Sequence, residues 1–134
     1  MTSREGVPLA VMLCAANQHD IRQFMPLVMN EYPSIGGAVG RPLDRPRRVI
    51  ADAGYASQDL QALLAACEIE SMIPQKNEPQ PPGLGQDRWP VERAISWLKQ
   101  FRRVRIRWDR LPANYEAFVT LACIMIAWRT LVAN

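Results

Sequence analysis

The stretch from residue 48 to residue 67 constrains the fold more than any other. Arg48-Val49-Ile50-Ala51-Asp52 is a short apolar run that ends in a carboxylate, and five residues later Ser57 opens a segment with Leu60, Leu63 and Leu64 on one stripe. An apolar run of this length suits a strand buried on both faces. Gly54 lets the chain turn tightly behind it. Ser57 is a candidate N-cap for a helix over 58–67, with Asp59 favouring its first turn. Strand, turn and helix in so few residues predict an α/β architecture.

The flanking sequence continues the alternation. Residues 8–14 read as a strand, and 20–32 as an amphipathic helix with Ile21, Phe24, Leu27 and Val28 at helical spacing and Pro33 as terminator. Glycines and prolines between 36 and 46 mark a loop, and 69–73 supply one more short strand. A long irregular segment at about 74–88 is expected to be mobile. Pro90 suits a first helical position, which makes Glu92 the third residue of its helix. Residues 114–131 are apolar on most faces. They read as a core-buried helix, or as one that buries surface against another part or partner.

Composition narrows the chemistry. With 134 residues, 49% hydrophobic and 22% charged, the chain has an ordinary globular balance for one domain. Cys14, Cys67 and Cys123 are odd in number and far apart, which fits neither a disulfide framework nor a zinc spacing and suggests a reduced, cytosolic chain. No secretory leader follows Met1, and the apolar stretch 117–128 is short for a bilayer span. His19 is the sole histidine, so no histidine triad or multi-histidine metal site can be drawn. The Asn17-Gln18-His19-Asp20 element is expected to cap the following helix and close the preceding loop.

Asp52 at a strand end and Glu92 on a helix are the candidate catalytic and metal-ligating pair. Hard ions such as Mg²⁺ take oxygen ligands, and paired ions can clamp the attacking and leaving oxygens of phosphoryl transfer. The plainer alternatives are a turn Asp and a helix-start Glu. Lys99 lies two turns beyond Glu92, about 10.5 Å along the same face, while Arg88 approaches from the loop; both can reach phosphates or simply be solvated. Net charge is +3, with basic residues clustered from 102 to 110. In an extended conformation Arg103, Arg105 and Arg107 share one face, either as a phosphate-tracking stripe or as a charged edge that resists aggregation. Trp108 is expected to pack under the sheet rather than stack on a base.

Ala51-Asp52-Ala53-Gly54-Tyr55-Ala56-Ser57 and Arg88-Trp89-Pro90-Val91-Glu92-Arg93, with Lys99 following, resemble the second and third catalytic blocks of insertion-sequence transposases with an RNase H-like DDE core. The resemblance extends through Gly6-Val7-Pro8-Leu9-Ala10, Asn17-Gln18-His19-Asp20 and Leu98-Lys99-Gln100-Phe101-Arg102-Arg103. It implies a partial RNase H-like catalytic domain over 1–134, a mixed sheet flanked by helices that lacks the first strand and its Asp. Asp20 aligns with a non-catalytic family position. The family's Y-x2-R-x3-E-x6-K pattern departs here at Gly85, where the Tyr would stand.

On that resemblance Asp52 and Glu92 are metal ligands, with Mg²⁺ or Mn²⁺ expected only in a completed site. Arg88, Lys99, Arg102, Arg103, Arg105 and Arg107 are the DNA-binding candidates. The implied partners are transposon ends and target DNA, together with self-association or an upstream transposase fragment, and no membrane. The implied location is the bacterial cytoplasm, at the nucleoid when DNA-bound. Two readings follow: a truncated or split transposase product inactive alone, or a non-catalytic DNA-binding or subunit-binding remnant that interferes with the full-length enzyme.

Overall fold

The structure, a computed structural model, describes residues 1–34, 39–75 and 84–133, with backbone alone for 84–88. The chain divides into two compact units, one of Cys14–Arg88 and one of Met1–Leu13 with Trp89–Asn134. Among the described residues, five α-helices and a two-stranded parallel sheet make it mixed α/β.

In the first unit α1 (Ile21–Met29) is followed by β1 (Arg48–Ile50), a 3₁₀ turn (Ala53–Tyr55), α2 (Gln58–Ala66) and β2 (Glu70–Met72). β1 and β2 pair in parallel with Arg48 opposite Glu70, Val49 opposite Ser71 and Ile50 opposite Met72, so α2 is the crossover of a βαβ unit. Ser57 caps α2 as its sequence suggests, its hydroxyl accepting from the Leu60 N–H at 3.4 Å. The helix ends in a Schellman arrangement: Ile69 N–H reaches the Leu64 carbonyl and Glu68 N–H the Ala65 carbonyl, both at 2.9 Å. Glu68 takes the left-handed position, φ 58°, that this ending requires. The ending turns Ile69 back beside Leu64. With Phe24, Val28, Leu60 and Ile73 they form the buried core of the unit.

Three expectations for this unit change. The helix 20–32 is observed as Ile21–Met29, ending short of Pro33, with Pro26 inside it and the Asn30 N–H still bonded to the Pro26 carbonyl. Asp20 stands at its N-cap without a capping hydrogen bond. The strand 48–52 closes at Ile50, although Ala51 N–H still donates to the Met72 carbonyl at 3.3 Å.

In the second unit residues 8–14 form no strand. Their only ladder contact among the described residues is an isolated bridge, Thr2 to Pro8, while Leu9 and Ala10 N–H groups converge on the Met1 carbonyl. Three helices follow: α3 (Leu84–Leu98), which belongs to this unit from Trp89 onward, α4 (Arg102–Arg105) and α5 (Pro112–Val132). Within α5 the buried residues are the stripe Val119, Ala122 and Ile126, whereas Leu121, Ile124, Met125, Trp128, Leu131 and Val132 are exposed. The core-buried reading of this helix therefore holds for one stripe alone. α5 runs a little beyond the expected 114–131, and at 21 residues it is, by length and composition only, long and apolar enough to cross a membrane, unlike the stretch 117–128 taken alone.

Candidate functional site

Asp52 is held by its own turn. Its backbone is still extended, φ −80° and ψ 170°, as the chain leaves β1, and its carboxylate accepts from the Gly54 N–H at 2.8 Å. Tyr55 N–H closes the turn on the Asp52 carbonyl at 3.1 Å. A Cβ at Gly54 would lie 2.9 Å from Asp52 Oδ1, so this close approach is what glycine permits. Among the described residues no other hydrogen bond or ion pair engages the carboxylate, which leaves its second oxygen free on an exposed side chain.

Tyr55, which carries no sequence signal of its own, anchors the turn. Its ring packs against Phe24, with centroids 5.2 Å apart and planes tilted 54°. Burial pushes its phenol above the ordinary range, and the nearby charges of Asp20, then Asp52, then Cys14 push in the same direction. Asp20 thus acts on the same phenol as Asp52. Its carboxylate is a partner for the Cys14 thiol at 3.3 Å, and this bond is the first cause of that thiol's raised pKa.

Glu92 belongs to the other unit. α3 begins at Leu84 rather than at Pro90, so Pro90 lies inside the helix and Glu92 falls in its middle, away from the positive end of the dipole. The helix-start explanation for this Glu no longer applies. Glu92 is exposed, and no hydrogen bond or ion pair among the described residues engages it. Its helix is tied down by its neighbour. Arg93 donates from Nη1 to the Glu5 carbonyl at 3.3 Å and stacks on Trp89 at 3.5 Å. Gly6, at φ 83°, admits that approach, since a Cβ there would meet Arg93 Cδ at 2.9 Å and the Pro90 carbonyl at 3.0 Å. The sequence signal for this contact was only the glycine in the Glu5-Gly6-Val7 turn.

Arg88 lies within α3 rather than in a loop, and its side chain falls outside the described residues, as do 76–83 of the expected mobile segment. Lys99 follows α3 and is exposed, its N–H bonded to the Ile95 carbonyl at 3.0 Å. The arginine segment is not extended. Residues Arg102–Arg105 form one helical turn, which breaks the alternation that would align Arg103, Arg105 and Arg107. Arg103 pairs with Asp109 at 3.7 Å and lies 5.2 Å from the Phe118 ring. Arg107 donates to the carbonyls of Asp109 and Arg110 at 3.0 and 3.4 Å. Trp108 is 64% exposed, so it does not pack under the sheet. Among the described residues no three His, Cys, Asp or Glu side chains stand together as a metal-binding group.

Residues 1–127 match the family described as Transposase DDE domain. The chain belongs to this DDE transposase family. It is also 43% identical over 131 residues to a protein of Burkholderia cepacia named "Putative transposase for insertion sequence element IS402", an alignment covering 98% of this chain and 62% of that protein. The chain therefore spans less than two thirds of that relative's length. No solved structure matches it.

Proposed function

We propose that this chain carries two carboxylates, Asp52 and Glu92, of a metal-dependent DNA cleavage and strand-transfer site that is completed by residues outside it, on a framework of RNase H-like type. The carrying observation is the Asp52 turn, which sits directly after β1 within a DDE-family match and pins one carboxylate oxygen while leaving the other free. That free oxygen is the right donor class for a hard divalent ion. The set is nevertheless incomplete, because no third ligand accompanies either acid among the described residues. We therefore assign no chemical step to the ion. On this reading the substrate is DNA at element ends and in the target, and the protein works in the bacterial cytoplasm.

Isothermal calorimetry with Mn²⁺ tests the ligand assignment. Weak binding that drops in Asp52→Ala and in Glu92→Ala supports it, and binding indifferent to both changes removes it. A plasmid excision assay tests the activity. The 134-residue chain should not cut, whereas an in-frame fusion to a preceding segment carrying an Asp should cut, and should lose that activity again with Asp52→Asn. Cleavage by the chain alone would point to Asp20 as the third ligand and overturn the split-site reading.

One observation favours a second reading, a non-catalytic DNA-binding or subunit-binding product that interferes with full-length transposase. α5 leaves a continuous apolar face exposed, from Leu121 to Val132. Contiguous apolar surface of this kind marks interaction sites. Suppression of excision when the chain is co-expressed with a complete transposase would select this reading.

A further inference from the structure

We infer that Lys99, Arg102 and Arg105 form one phosphate-binding depression for the DNA backbone, whereas Arg103 and Arg107 of the same basic segment serve to hold α4 against α5. The inference rests on the proposed action on DNA and divides five of the six basic candidates by what the fold does with each, the side chain of Arg88 lying outside the described residues.

The division begins with the single turn of α4. Positions 102 and 105 are three apart and share one side of it, while 103 is rotated away. Lys99 comes from the turn that ends α3. The three side chains line an open depression of about 570 Å³ together with Ser96, Gln100 and Ile106. Among the described residues no acidic side chain lines it. All three cations are exposed, and among the described residues no hydrogen bond or ion pair engages any of them. Three unpaired like charges around one concavity concentrate positive potential there. Two planar guanidinium forks and a mobile ammonium suit the tetrahedral oxygens of a phosphodiester.

The other two arginines are occupied. Arg103 faces Asp109 and the ring of Phe118 on α5, and Arg107 donates to two carbonyls while lying 5.5 Å from the ring of Tyr115, also on α5. The Tyr115 hydroxyl in turn donates to the Val104 carbonyl of α4 at 2.9 Å. These contacts fix the turn that aims Arg102 and Arg105.

The test compares Gln substitutions by fluorescence anisotropy on a short labelled duplex across a salt series, with thermal unfolding in parallel and inorganic phosphate as a separate titrant. Lys99→Gln, Arg102→Gln and Arg105→Gln should each reduce the log–log salt slope by about 1 and leave the melting temperature in place. Arg103→Gln and Arg107→Gln should lower the melting temperature and leave the slope of the folded protein near wild type. Wild-type binding with an unchanged slope in the Lys99/Arg102/Arg105 triple variant overturns this assignment and leaves action on DNA standing. Loss of inorganic phosphate binding alone, with duplex binding intact, overturns the backbone as the ligand. A wild-type chain that binds no duplex removes both this assignment and the reading beneath it.

Discussion

Asp52 and Glu92 are presented in different ways. The Asp52 turn is made within a few residues: Gly54 N–H holds the carboxylate, Tyr55 N–H closes the loop, and the Tyr55 ring docks on Phe24 beside a core that includes the fully buried Leu64. The Glu92 helix has Ala94 buried, but Trp89, Val91 and Ile95 around it are exposed, and its described anchor is Arg93 reaching back to the Glu5 carbonyl. One acid is set by local hydrogen bonds and a packed core. The other depends on a contact between residues 88 positions apart. Asp52 is therefore held within its own turn, whereas the described anchor beside Glu92 is a long-range contact of Arg93.

The largest test of that contrast is packing. Leu64→Ala should cost about 3 to 4 kcal/mol in denaturant unfolding, since Leu64 is 0% exposed and a cavity would replace it. Leu131→Ala, on the exposed face of α5 at 72% exposure, should stay within about 0.5 kcal/mol. Comparable costs at the two sites would mean that α5's face is covered in solution, and the contrast would fail. Tyr115→Phe lies between them. Removing the hydroxyl that satisfies the Val104 carbonyl should cost about 1 kcal/mol and loosen α4, visible as faster amide exchange across Arg102–Arg105.

What the sequence reveals follows the same line. The β1–turn–α2–β2 order, the Ser57 cap and the core leucines are readable because each is encoded within a few residues by periodicity and capping chemistry. The left-handed Glu68 is not, because a glutamate gives no sign of the position that glycine usually marks. Pro90 misleads for a physical reason: it is compatible with a first helical turn and is tolerated within α3, and local sequence does not separate the two. The arginine alternation fails likewise. A period of two predicts an extended stripe only if a partner strand exists, and here Tyr115 and Phe118 of α5 offer α4 a better surface. For residues 8–14 the strand pattern is present, but the described structure gives it no neighbour to pair with. The two acids are singled out by resemblance alone and stand as a proposal, whereas the Asx-type hold on Asp52 and the Arg93 anchor beside Glu92 needed the structure.

A finer test separates turn geometry from stability. Gly54 is not in the left-handed region, so Gly54→Ala is allowed by the backbone but places a methyl against Asp52 Oδ1. The lost hydrogen bond, about 0.5 to 1.5 kcal/mol, is largely offset by the reduced freedom of the unfolded chain, about 0.4 to 1 kcal/mol. Net stability should therefore move by less than about 1 kcal/mol while the carboxylate swings away. Weaker Mn²⁺ binding at nearly unchanged stability is the expected pair of results. Unchanged binding would show that the Gly54 hold does not preorganise Asp52.

The smallest expected effect is a titration, and it reports on the acid neighbourhood directly. Burial holds the Tyr55 phenol above its unfolded value, and Asp20 and then Asp52 reinforce the shift. Because the folded pKa is raised, the associated stability is fully present below the unfolded value, near 10, and is lost as pH rises through the higher folded value. Tyrosinate absorbance should therefore show one of the three tyrosines ionising late, and Tyr55→Phe should delete that step. Asp20→Asn should bring the step back toward the ordinary range by more than Asp52→Asn, in keeping with the order of their influence. Equal and negligible shifts in both variants would mean that neither carboxylate faces the phenol in solution, and that the turn presenting Asp52 is set by its backbone hydrogen bonds and the Phe24 contact alone.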